Sequence, residues 1–226
     1  FAEIVLLRTF TPEEIEKLPR VDLAYLLERV ILRIESQPLR WMIRYGAIAR
    51  RLTIGFVEQV LLPPLRDALA GRVPDQPGKQ LDGQYRDTWK PEPALAGALS
   101  ATALWDDLKC FARDRGWISA TQHEGESCLV FHPEVIGPVR ELLAQQEIFG
   151  ELQARSIEYY ERLAQRHAST PALWVRHARE SIFHRFQRRV WQPGDAPNAV
   201  PTDDAWSDWR AKCERARQFG DVLWER

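Results

Sequence analysis

Apolar positions along this chain recur mostly at helical spacing. Over residues 22–36, Leu23, Leu26, Leu27, Val30, Ile31 and Ile34 fall on one face of a helix. Over 39–52, Trp41, Tyr45, Ile48, Ala49 and Leu52 share a second such face, and Pro38 separates the two segments. Thr53-Ile54-Gly55 reads as a turn. Residues 56–70 read as a helix interrupted at Pro63-Pro64, because proline lacks the N–H an interior helical position donates. Leu104, Leu108, Phe111 and Ala112 mark a helix over 94–115, with Gly116 as its stop. The period then changes: 117–121 and 127–132 read as two short strands around His123-Glu124-Gly125-Glu126, a hairpin signal. Helices resume over 138–146, over 148–167 with a break near Gly150, and from Ser169-Thr170-Pro171 to Trp191. A Pro-rich loop at 192–201 precedes a last helix opened by Asp203 and Asp204. On that helix Trp206, Trp209, Cys213, Ala216 and Leu223 lie near heptad spacing. At the other end, residues 3–8 read as a short strand or a helix tail. Thr11-Pro12-Glu13-Glu14 reads as a helix start, with a Thr cap and acids at the positive end.

The pattern predicts a mostly α fold with a minor β-hairpin. Residues 71–93 hold four prolines and three glycines and lack periodicity. They are expected to divide an N-terminal helical module (1–70) from a C-terminal module (94–226) as a linker or long loop. A length of 226 residues accommodates either one large domain or two small ones.

Charge adds a local feature. The formal net charge is only −1, so attraction to polyanions must come from patches. The basic residues are 26 Arg against 5 Lys, and arginine forks onto phosphate and carboxylate. Arg40, Arg44, Arg50 and Arg51 give 39–52 four positive charges and no negative one, with Arg40, Arg44 and Arg51 on a narrow stripe opposite the apolar face. Over 170–191, Val175, Ala178, Ile182, Phe183, Phe186 and Val190 form an apolar stripe. His177, His184 and Arg188 lie on the far face, flanked by Arg176 and Arg185, with Arg179 and Arg189 adding charge. Each basic face reads as a solvated helix surface, a phosphate grip, or a surface for an acidic partner.

The block Arg115-Gly116-Trp117-Ile118, followed by Cys128-Leu129-Val130-Phe131-His132-Pro133, places a helix before a hairpin and a helix after it. Over about residues 98–146 this resembles a generic winged-helix or helix-turn-helix-like module, as recognition helix and wing. The resemblance implies a winged-helix-like core in the C-terminal module. Such modules serve nucleic acids and protein partners alike. Asp106, Asp107 and Asp114 on the would-be recognition helix repel phosphate. The segment 39–62 also has a helix-turn-helix outline. Its Gly55 sits late in the turn, however, Val60 falls one residue past the core position, and 56–62 is too apolar for a groove-facing surface.

Catalytic and metal signatures are missing. The chain has no Gly-rich phosphate loop, Gly-x-Ser-x-Gly, His-Glu-x-x-His or dinucleotide fingerprint. Cys110, His123, Cys128 and His132 form the one Cys/His cluster. Four residues of strand separate Cys128 from His132 by about 13 Å, too far to share an ion. His177 and His184 stand about 10.5 Å apart along a helix and fail the same test. Three unpaired-looking cysteines without Cys-x-x-Cys fit a reducing, cytoplasmic setting. No apolar run reaches membrane-spanning length, and no signal-peptide pattern opens the chain, which starts at Phe1.

The expected function is therefore a non-catalytic subunit of a nucleic-acid-handling complex, without cofactor or metal. It would grip DNA or RNA phosphate through the arginines at 40, 44, 50, 51, 176, 185, 188 and 189, and dock to other protein subunits. The alternative is a protein-interaction or scaffold subunit without nucleic acid, in which Trp206 and Trp209 lie at an interface. An enzyme with an uncharted site stands third.

Overall fold

The computed structural model describes residues 31, 33–72, 91–123, 125–144, 147–188 and 203–219. The readings at 3–8, at 11–14, of 22–36 apart from its last residues, and of the loop 192–201 lie outside these. The described chain is mostly helical with one two-stranded antiparallel sheet. It forms two compact units, residues 1–146 and 147–226.

In the first unit, α1 spans Gln37–Gly46. Ser36 caps it, its Oγ accepting from Leu39 N at 3.3 Å, and Pro38 occupies the first turn, where no N–H is needed. The predicted helix 39–52 therefore starts earlier and stops earlier. After Gly46 the chain turns, and Leu52 bridges to Leu129 through two backbone hydrogen bonds of 2.8 and 2.9 Å. Thr53 then caps the next helix, accepting from Phe56 N at 3.2 Å. This helix, α2, is built from three joined pieces: α-helical Ile54–Phe56, a π-helical stretch Val57–Leu61, and α-helical Leu62–Leu69. Pro63 and Pro64 do not interrupt it. They cannot donate, and the turn ahead of them widens instead, so that Leu62 N reaches back to Val57 O.

A short α3 (Pro93–Ala98) and a long α4 (Ala101–Arg115) follow. Ser100 caps α4, and Gly116, at φ 63°, ends it in the left-handed conformation that costs glycine least. Strands β1 (Ile118–His123) and β2 (Glu126–Phe131) pair with Ile118 opposite Phe131 and His123 opposite Glu126. The two-residue turn includes Gly125 at φ 82°, as tight hairpins require. Helix α5 spans Pro133–Leu143 and runs through Pro138, where the residue pattern alone places its start.

Of the segment 71–93, residues 73–90 lie outside the described residues, and the chain on either side of them belongs to one unit. Glu92 N donates to Leu69 O at 2.8 Å, and Arg66 Nη2 donates to Leu99 O at 2.6 Å. With the Leu52–Leu129 bridge, these bonds tie α1 and α2 to the hairpin and α4. One core results: Trp41, Met42, Tyr45, Ile48, Leu52, Phe56, Leu65, Leu104, Leu108, Leu129 and Phe131 are all buried. Each such large side chain contributes about 1.5–3 kcal/mol relative to exposure.

In the second unit, α6 (Glu147–Arg166) and α7 (Pro171–Gln187) form an antiparallel helical hairpin, with no break at Gly150. Helix α8 (Asp203–Gln218) packs on α7. Among the described residues no helix is long and apolar enough to cross a membrane.

Candidate interaction site

Helix α7 is the middle element of its unit, and it buries the histidine face that its pattern assigns to solvent along with Ala178 of the apolar stripe. Its buried residues are Trp174, His177, Ala178, Glu180, Ser181 and His184, whereas Val175, Ile182, Phe183 and Phe186 are half-buried. The histidines enter the core because α6 offers them partners. Gln153 Oε1 lies 2.7 Å from His184 Nδ1, and both side chains are buried. The Tyr160 ring stacks on His184 at 5.6 Å and on His177 at 6.4 Å, and His177 stacks on His167 at 5.4 Å. A column of four rings thus joins the two helices.

One turn away, a charge cluster locks α8 onto the hairpin. Lys212 Nζ lies 2.6 Å from Glu161 Oε1 and 2.5 Å from Asp208 Oδ2. Arg185 Nε lies 3.0 Å from Asp208 Oδ2, with its Nη2 3.4 Å from Glu161 Oε1. Ser181 Oγ also donates to Glu161. Two cations and two anions balance, as a partly buried cluster must. Burial alone raises the Glu161 pKa. The Lys212 and Ser181 hydrogen bonds, with the charges of Lys212 and Arg185, outweigh it and hold the carboxyl below its ordinary value of 4.5. The stability this group adds is therefore complete above that value and lost as pH falls through the folded pKa. Glu161→Gln is expected to flatten the acid limb of the stability–pH curve. Urea unfolding at pH 7 and pH 3 checks this, and an unchanged acid loss would refute the role.

With Ala205, Asp208, Lys212 and Ala216 turned inward, α8 presents Trp206 and Trp209 outward, 44% and 40% exposed. Among the described residues, Ile54 is the one other exposed large apolar side chain. Phe186 of α7 meets Trp206 edge-on at 4.9 Å, and Trp206 meets Trp209 at 5.9 Å and 90°. Helical spacing places Arg210 one turn from Trp206. Arg188 stands two residues beyond Phe186, and both arginines are exposed. Neither pairs with a carboxylate among the described residues.

The predicted phosphate-gripping arginines take different settings within each unit. Arg40 and Arg44 are buried, 9% and 2% exposed, and so do not form a solvated stripe. Arg40 Nε donates to Ile34 O at 3.1 Å, and the Arg44 guanidinium lies 5.9 Å from the Tyr45 ring. Arg50 and Arg51 are half-buried in the turn after α1 rather than on a helix. In the second unit Arg176 is half-buried, Arg185 belongs to the charge cluster, and Arg188 is exposed; Arg189 lies outside the described residues. The outer face of α4 carries Asp106, Asp107, Arg113 and Asp114, with Lys109 2.7 Å from Asp106.

Sequence reasoning missed Arg140, Glu161, Asp208 and Lys212. The i, i+4 spacing of Asp208 and Lys212 was the one visible signal. Arg140 reaches the C-terminal turn of α1: its Nε donates to Ala47 O at 2.7 Å and its Nη2 to Ala49 O at 3.1 Å. Among the described residues no three His, Cys, Asp or Glu side chains gather where an ion would be held. Comparison of the chain with protein-family models, with curated proteins and with solved structures returned no significant match.

Proposed function

We propose that this chain is a protein-interaction subunit that docks through the Trp206/Trp209 edge of α8, its first unit being a winged-helix-type module used for contact with proteins. The observation that carries the reading is the exposure of both indoles on a helix whose opposite face is closed by the Lys212 cluster. Tryptophan left in water at such a place is the residue most enriched where binding energy concentrates. Support in the first unit comes from the order of α4, hairpin and α5, with Leu52 bridged to β2. The face a nucleic-acid reader would turn to its groove holds Asp106, Asp107 and Asp114, which repel phosphate. A reducing, cytoplasmic setting accords with the free thiols of Cys110, Cys128 and Cys213.

Replacing both indoles, Trp206→Ala with Trp209→Ala, is expected to abolish crosslinking from a photoreactive residue at position 207 to partner proteins in extract. The thermal unfolding midpoint should move by only a few degrees, because neither ring belongs to the buried set. Loss of the fold would show the indoles to be core. Salt-sensitive binding of duplex DNA or RNA by the intact chain would restore the phosphate-gripping function.

A further inference from the structure

We propose that the Trp206/Trp209 edge takes an acidic peptide segment with a large apolar anchor; this rests on the interaction function above and names the chemistry of the partner. Three observations carry it. The first is the aromatic corner itself, where Phe186, Trp206 and Trp209 meet edge to face and both indoles stay 44% and 40% exposed to an apolar side chain. The second is the sign of the rim. Arg188 and Arg210 are exposed and unpaired among the described residues. Asp203, the first residue of α8, stands one turn from Trp206 on the same face and is outnumbered by these two arginines. The other acids near in sequence are engaged or turned away. Asp208 is held by Lys212 and Arg185, and Glu214 lies 3.5 Å from Arg217. Asp204 lies about 160° around the helix from Trp206. The rim is therefore net positive, and guanidinium groups donate to carboxylates in a two-pronged geometry that fixes orientation.

The third observation removes the competing occupants. A second copy of the chain, related by a two-fold axis, would set this net-positive edge against itself. A nucleic acid strand gains its affinity from many neutralised phosphates, and two free guanidinium groups supply few. A peptide needs one or two carboxylates and one anchor, which matches what the edge offers.

A displayed random-peptide library selected against the full chain tests this. The expected result is enrichment of sequences in which Asp or Glu flanks Trp, Phe or Leu. Trp206→Ala with Trp209→Ala should weaken a selected peptide by about a hundredfold or more. The charge-reversed variant, Arg188→Glu with Arg210→Glu, should slow association about tenfold at low salt, with the difference vanishing near 1 M salt. The same variant should enrich Lys- or Arg-flanked anchors instead.

Enrichment of neutral or basic sequences by the unaltered chain overturns the proposal. So does indifference to charge reversal, or failure to enrich any sequence. In each of these cases the interaction function still stands or falls by the crosslinking experiment. A parallel titration with 20-nucleotide oligo(dT) and oligo(U) decides the remaining alternative. Tight binding that disappears in both variants would assign the edge to single strands and overturn the peptide proposal as well.

Discussion

Arg140→Met is expected to destabilise the first unit by about 3 kcal/mol. The guanidinium of α5 reaches the carbonyls of Ala47 and Ala49 in the turn that closes α1, with Ile48 O a further 3.4 Å from Nη2. Hydrogen bonds to a charged donor contribute about 1.5–3 kcal/mol each at most, and buried carbonyls left without a donor add a cost of their own. The charge also sits at the negative end of the α1 dipole. Arg140 is half-buried, so solvent screening keeps the total well below the sum of its bonds. Arg140→Lys should recover only part of the loss, because an ammonium cannot span carbonyls on successive residues. Urea unfolding followed by tryptophan fluorescence checks both variants. A midpoint unchanged in the Met variant would mean that the turn holds itself.

His184→Leu is expected to cost the second unit about 2–4 kcal/mol, mostly because it strands a buried amide and only secondarily because it loses a bond. It removes the partner of Gln153 Oε1 inside a buried helix pair and breaks the ring stack on Tyr160. The double variant His184→Leu with Gln153→Leu should therefore be less destabilised than the sum of the two single variants, by about 1–2 kcal/mol. A double-mutant cycle in urea measures this. Strict additivity would show that the two side chains do not depend on each other.

Local signals were legible where the chain forms local structure. The hairpin follows from strands flanking Gly125, the α4 stop from Gly116, and the α6–α7 turn from Thr170-Pro171. Amphipathic patterning failed at α1 and α7. It assigns charged and polar side chains to solvent, yet Arg40, Arg44, His177 and His184 are buried. In α7 the polar face is inside because Gln153, Tyr160 and Glu161 of α6 face it, and pairing of that kind has no trace in the pattern of one helix. Sequence separation hid the rest. The Arg140 contact joins residues 93 apart, and the Leu52–Leu129 bridge spans a Pro- and Gly-rich stretch that composition marks as a boundary. The exposed indoles were readable only as a spacing on α8. They face away from the side of the helix where Ala205 is buried and Lys212 meets Glu161.

The hydrogen bond between Glu92 and Leu69 has a consequence for how this protein can vary. It closes residues 70–91 into a stretch whose two ends are held side by side by the folded unit. The entropy of closing such a stretch grows only with the logarithm of its length, so doubling it costs about 0.6 kcal/mol. Length added between those two ends therefore costs the fold little closure entropy.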